Sequence, residues 1–268
     1  MSGILYVTGT PIGNLSDLSP RAVETLESVD FIAAEDTRVT LKLLNHFGIK
    51  KPMVSYFEHN KRERGEIICA RIEQGENCAI VTDAGMPCIS DPGEDLVKLC
   101  EERGIKTVVI PGPSAVISAL AVSGLSTGRF TFEGFLSVNK KSRADHLKSL
   151  ANEHRTMIFY EAPHKLPQTL RDLYASFGDR KLTIVREITK IHEEVIRTTT
   201  KNAAENLSDG SVKGEIAPQV DDTEEFTLEY AVETAKKLIE NGARATDAAK
   251  EAAALTGFKK NEIYKELI

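Results

Sequence analysis

The sequence predicts an α/β fold: a parallel-sheet N-terminal domain, an α+β C-terminal domain and a short C-terminal helical tail. Over residues 1–113, apolar runs of four or five residues alternate with amphipathic stretches, the pattern of βαβ units around a sheet buried on both faces. Over residues 114–222, helices separate only some of the apolar runs, which predicts a partly antiparallel sheet. Over residues 223–268 the apolar positions recur at helical spacing.

Each element has a local cause. Residues 4–7 read as the first strand, and Ser19 with Pro20 opens a helix over 20–29, because serine caps and proline suits the first helical position. A strand over 31–34 precedes a helix over 40–47 that stops at Gly48. A helix over 64–73, a strand over 78–82, a helix over 94–103 ending at Gly104 and a strand over 107–110 complete the first domain. A helix over 115–122, capped by Ser114, opens the second. Strands follow at 131–136, 156–160, 182–185 and 193–198, with helices at 143–151 and 165–177. In the tail, Leu228, Ala231, Val232, Ala235, Leu238 and Ile239 share one helix face. Gly242 ends that helix, Thr246 is placed to cap the next, and Gly257 closes it before a helix over 259–267. Three short helices resemble a helix-turn-helix unit. However, residues 226–268 carry seven basic and seven acidic side chains, so packing or dimerisation explains them as well as nucleic-acid reading does.

Composition narrows the function. With 41% hydrophobic and 28% charged residues the chain reads as globular. Its net charge of −6 argues against a basic coat for nucleic acid, leaving two local basic loops, Lys61/Arg62/Arg64 and Lys140/Lys141/Arg143. No apolar run reaches the roughly 18–20 residues of a membrane span, and the N-terminus lacks the pattern of a signal peptide. Cys69, Cys78, Cys88 and Cys100 form no CxxC pair and the histidines are scattered. Free thiols in a reducing cytoplasm, no membrane association and no metal site are therefore expected.

Four loops after predicted strands carry the polar and special residues, and in open α/β sheets ligands bind at that edge. The first runs from Thr8 to Leu15 with Gly9, Pro11 and Gly13; its GxxxG spacing is neither a dinucleotide fingerprint nor a P-loop. Pro11 removes a backbone N–H that a phosphate cradle would need. The glycines serve either close approach to a ligand or the geometry of a tight turn. The second loop is Glu35-Asp36-Thr37-Arg38, suited to accept hydroxyl protons or hold a cation. Alternatively, Asp36 caps the next helix while Arg38 pairs with Glu35. The third holds Asp83, Ala84 and Gly85, then Ile89 and the turn Asp91-Pro92-Gly93, more structure than connectivity needs. The fourth, Pro111-Gly112-Pro113-Ser114-Ala115, is a stiff strand-to-helix turn. Together they offer carboxylates and small apolar surfaces but little positive charge, which suits a ligand with hydroxyls, an aromatic base and a cation.

The motifs TPIGNLSD, AEDTR, DAGMPCISDPG, PGPSA, FEGFL, YEAPH, REITK and VKGE occur in this order. In order and spacing they resemble the tetrapyrrole-methylase superfamily, specifically its small-subunit ribosomal RNA methyltransferases, over residues 4–216. The resemblance implies a cytoplasmic homodimer that uses S-adenosyl-L-methionine to methylate a cytidine ribose 2′-hydroxyl in the decoding region of 16S rRNA. The substrate would be presented within the small ribosomal subunit. It implies a cofactor cleft between the two domains, lined by Gly9, Pro11, Gly13, Asp83, Ala84, Gly85, Ile89, Ser114 and Ala115, with Phe159 and Tyr160 as weaker candidates from the second domain. Glu35, Asp36 and Glu187 are the candidate catalytic carboxylates. Arg38, Lys140, Lys141, Arg143, Arg186 and Lys190 are the candidate RNA contacts. The chain departs from the family pattern after Val212-Lys213-Gly214-Glu215, where Pro218, Asp221 and Asp222 argue against the central strand expected there. A tetrapyrrole methyltransferase and a ligand-sensing DNA-binding module are the alternative functions.

Overall fold

The computed structural model describes residues 2–207, 216–221, 228–256 and 258–267. The motif at 212–215, the residues around Phe226 and the stop at Gly257 lie outside them. The first domain contains β1 (Ile4–Thr8), α1 (Pro20–Ser28), β2 (Phe31–Ala34), α2 (Thr37–His46), β3 (Met53–Ser55), α3 (Lys61–Glu73), β4 (Cys78–Val81), α4 (Gly93–Glu102) and β5 (Lys106–Ile110). Its strands pair in parallel in the order β3-β2-β4-β1-β5. As the apolar runs predict, β2 and β4 are buried along their whole length. The three-residue strand β3 is too short for a periodic signal and is absent from the sequence reading.

Several helices begin earlier than propensity suggests. Asp36 accepts the Arg38 N–H, so α2 starts at Thr37 rather than at residue 40. Lys61, Arg62 and Arg64 fall in the first turn of α3 rather than on a loop, and Lys61 is paired with Glu58 and Asp95.

The second sheet has the order β6-β7-β10-β8-β9. Its elements are α5 (Ala115–Ser123), β6 (Phe130–Phe135), α6 (Lys140–Ser149), β7 (Thr156–Tyr160), α7 (Leu166–Phe177), β8 (Lys181–Arg186), β9 (Glu194–Thr199), α8 (Thr200–Asn206) and β10 (Ile216–Val220). Only β6 and β7 run parallel; the other neighbours are antiparallel. Strand β10 corrects the reading of Pro218: it is a central strand between β7 and β8. Pro218 is tolerated because register with β7 begins only at Gln219, so the ring stands where that ladder ends. Both sheets belong to one compact unit, residues 1–221.

Residues 222–268 form a second unit. Its helices α9 (Leu228–Glu240), α10 (Ala245–Thr256) and α11 (Lys260–Leu267) share a core of Ala231, Val232, Ala235, Ala248, Ala249, Ala252 and Ile263. Thr246 lies inside the first turn of α10, so it is not the cap. No helix among the described residues is long and apolar enough to cross a membrane, and they hold no cluster of metal-ligating side chains.

Candidate active site

In the first sheet the chain leaves β1 toward β2 and leaves β4, the neighbour of β1, toward β5. The connections diverge there, and the crevice beyond the carboxyl ends of such strands is where α/β sheets bind ligands. The two loops are locked together at that point. Thr10 and Gly85 exchange backbone hydrogen bonds of 2.9 and 3.2 Å, and the Thr10 hydroxyl donates to the Thr82 carbonyl at 3.1 Å. Gly9 lies against Gly112 so closely that a Cβ on Gly9 would stand 2.7 Å from the Gly112 Cα. A Cβ on Gly13 would meet Thr189 Oγ1 at 2.8 Å and the Ile188 carbonyl at 3.0 Å. Both glycines therefore permit loops to interlock, and neither lines the cavity they help enclose.

That cavity, of about 400 Å³, lies between the two sheets. The first domain supplies Ile12, Glu35, Thr82, Ala84 and the loop Ile89-Ser90-Asp91. The second supplies Ala115, Phe135, the run Tyr160 to Pro163, Val185, Ile188 and Ala217. Of the residues implied as cofactor contacts, Ala84, Ile89, Ala115 and Tyr160 are in the wall, as is Glu35 among the implied catalytic ones. Pro11, Asp83, Gly85 and Ser114 are not in the wall, although each is a chain neighbour of a residue that is. Ser114 occupies the N-cap position of α5, but its hydroxyl makes no capping bond. Phe159 is fully buried in the core of the second sheet, because strand alternation turns it away from the face that Tyr160 presents.

The wall is apolar with three carboxylates set into it, and among the described residues it contains neither lysine nor arginine. Glu35 accepts the Thr82 hydroxyl at 2.5 Å. Asp91 accepts the N–H groups of Cys88 at 2.9 Å and Gly93 at 2.8 Å; burial raises its pKa above the ordinary carboxylate value. Glu161 is buried: one oxygen accepts the Ala162 N–H at 2.8 Å, and the other accepts the Thr169 hydroxyl. Just outside the wall, Asp83 accepts the Asp36 N–H at 3.1 Å, and its pKa is raised by burial and then by the charge of Glu35. Glu161 and Phe135 were not singled out in the sequence, although each lies inside one of the recognised motifs, and Asp91 was read there as part of a turn rather than as a cavity carboxylate.

Other implied residues have different duties. Asp36 pairs with Arg38, not Glu35 with Arg38; the pair is bidentate and holds the Asp36 carboxyl down at about 2. Glu187 accepts from Lys190 at 3.0 Å, and Arg186 donates to Glu194 at 2.6 Å. Arg143 is turned inward. Its guanidinium donates to Asp172 at 2.6 Å and Thr169 at 2.7 Å and lies 4.0 Å from Glu161, so its partners are within the fold. Lys140 and Lys141 are exposed in the first turn of α6, so this basic segment is a helix start rather than a loop. Positive φ values at Cys88, Ser90, Glu187 and Thr189, none of them glycine, concentrate backbone strain in two loops around the cavity.

Residues 4–204 match the family model described as Tetrapyrrole (Corrin/Porphyrin) Methylases. The chain is 45% identical over 269 residues to a ribosomal RNA small subunit methyltransferase I of Synechocystis sp., with 98% of this chain and 96% of the relative covered. A protein of the same name from Bacillus subtilis is 42% identical over 98% of this chain and 93% of its own. Among solved structures, diphthine synthase superposes with a TM-score of 0.62 at 15% identity, covering 82% of this chain and 90% of that one. A uroporphyrin-III-C-methyltransferase from Thermus thermophilus superposes with a TM-score of 0.58 at 17% identity, covering 82% and 94%. Those two likenesses establish the fold.

Proposed function

The chain belongs to the ribosomal RNA small subunit methyltransferase I family of tetrapyrrole methylases, enzymes that use S-adenosyl-L-methionine, and we propose that it methylates the 2′-hydroxyl of a cytidine ribose in the decoding region of 16S rRNA. One observation carries the fit to the cofactor: among the described residues, three carboxylates, Glu35, Asp91 and Glu161, and no lysine or arginine line a largely apolar cavity. Such a lining favours a cation and disfavours phosphate. Ala84, Ala115 and Tyr160 would contact the cofactor, within the loop frame set by Gly9, Pro11, Gly13, Gly85 and Ser114, with Asp83 adding negative charge behind the wall. When bound, the cofactor supplies a methyl group on a sulfonium.

The chain's own task is alignment of the ribose hydroxyl and acceptance of its proton. Glu35 serves as the proton acceptor because it reaches the cavity and is oriented by Thr82. Glu187, held by Lys190, is the second candidate. Asp36 is unsuited, since a carboxylate held at about 2 takes up a proton poorly at neutral pH. Arg38, Lys140, Lys141, Arg186 and Lys190 contact phosphates of the rRNA around the site. A homodimer in the cytoplasm is the working form. Its interface is supported by α5, which is apolar all round yet exposes Ile117 and Val122, and by exposed Val109 and Phe130 on the edge strands β5 and β6.

The test is incubation with methyl-labelled cofactor and, separately, small ribosomal subunits, naked 16S rRNA and a porphyrin precursor. Label is expected in 16S rRNA at one cytidine whose 3′ linkage resists alkali, because a 2′-O-methyl group blocks that cleavage. Label on a base, or in the porphyrin alone, refutes the proposal.

A further inference from the structure

The cavity carries two large apolar side chains that remain largely exposed, Phe135 and Ile89, the latter also one of the implied cofactor contacts. Phe135, at the end of β6, is 61% exposed although it lines the cavity. Its ring packs on Tyr160 at 5.4 Å between centroids, and Tyr160 meets Phe132 edge-on at 5.0 Å. The exposed ring is thus backed by Tyr160, which Phe132 in turn holds. Ile89, from the first domain, is 53% exposed and also lines the cavity. It sits between Cys88 and Ser90, both non-glycine residues at positive φ (71° and 65°), so a strained backbone holds an apolar side chain toward water. The two loops adjoin, since a Cβ on Gly134 would lie 3.6 Å from Ser90 Oγ. Exposed Lys140 and Lys141 follow shortly after Phe135, where a phosphate backbone would run.

We infer that Phe135 and Ile89 are jaws that clamp a nucleobase extruded from the RNA, holding its ribose over the cavity. An enzyme acting on one nucleotide must take it out of the stack or bind it single-stranded, and an extruded base is held between aromatic and apolar side chains. Both side chains line one cavity, Ile89 from the loop after β4 and Phe135 from the end of β6. The inference rests on the RNA substrate proposed above and adds how that substrate is gripped.

The experiment compares the full chain with Ile89→Ala, Phe135→Ala and Phe135→Trp. It measures KM and kcat for methyl transfer to whichever rRNA substrate the unaltered chain labels, and cofactor affinity by calorimetry. Phe135→Ala is expected to raise KM for RNA about tenfold, the loss of one stacking partner, with cofactor affinity unchanged, and Ile89→Ala to raise KM for RNA by a larger factor than it weakens cofactor binding. Phe135→Trp, which keeps a ring, is expected to restore KM. Unchanged KM in both alanine variants overturns the jaws, and so does a parallel loss of cofactor affinity, which would make the pair part of the cofactor wall. If the unaltered chain labels no RNA, the substrate reading itself falls with them.

Discussion

Replacing Gly9 by alanine probes whether the cavity depends on two loops touching backbone to backbone. The added Cβ would lie 2.7 Å from the Gly112 Cα, 2.9 Å from the Gly112 nitrogen and 2.7 Å from the Met86 sulfur. Carbon atoms in contact ordinarily sit about 3.5–4.0 Å apart, so the overlap is close to an ångström. The Met86 side chain is flexible and can shift, but the Gly112 backbone cannot rotate away. Gly9 donates to Ile110 at 3.1 Å at the end of the β1–β5 ladder, and Gly112 donates to the Met86 sulfur at 3.2 Å. One loop must therefore move, at a cost of about 1–3 kcal/mol by the precedent of overpacked sites. For a unit of this size that lowers the melting temperature by roughly 2–4 °C per kcal/mol. Gly128→Ala, where an added Cβ meets nothing within 4 Å, is the control. Thermal unfolding followed by circular dichroism, paired with calorimetric titration of S-adenosyl-L-methionine, checks both consequences. The reasoning is refuted if Gly9→Ala melts and binds cofactor as Gly128→Ala does.

Glu35→Gln is expected to reduce single-turnover methyl transfer about a hundredfold, in the range of a lost general base, whereas Asp36→Asn leaves the rate unchanged and only lowers the melting temperature through a weaker cap on α2; equal rates for all three proteins remove Glu35 as the base, and an unchanged rate in Glu187→Gln as well removes the base from the mechanism. Asp91→Asn tests the effect of burying a carboxylate. Because the folded-state pKa is raised above 3.8, the folded protein binds the proton more tightly, so the native chain loses stability as pH rises from about 3.8 through the folded value. The melting temperature of Asp91→Asn relative to the native chain should accordingly grow across that window; a difference independent of pH contradicts it. Arg143→Ala should destabilise the fold by about 2 kcal/mol, less than a fully buried pair because Asp172 keeps 25% exposure, and leave the salt dependence of RNA binding untouched. Lys140→Glu with Lys141→Glu should flatten that dependence without unfolding the chain, as filter binding across a salt series would report.

The sequence by itself determined the parallel sheet and the loops that form the site, because both are written locally. Strand burial shows as short apolar runs, and loop geometry shows in Gly9, Pro11, Gly85 and Gly112. The motif order also determined the family and its cofactor. What only the tertiary structure decided depends on residues far apart in the chain. Glu35 and Thr82, 47 positions apart, meet because β2 and β4 are neighbours in the sheet. Glu161 joins their cavity from the other sheet. Which side chain of a pair faces ligand is settled by register: Tyr160 points to the cavity and Phe159 to the core. Arg143 reads as an exposed cation until Asp172 and Thr169, on the neighbouring helix α7, capture it. Pro218 reads as a strand breaker until the ladder it would interrupt proves to begin one residue later. Periodicity and turn chemistry act within a few residues, whereas register and charge pairing exist only once the sheets have formed.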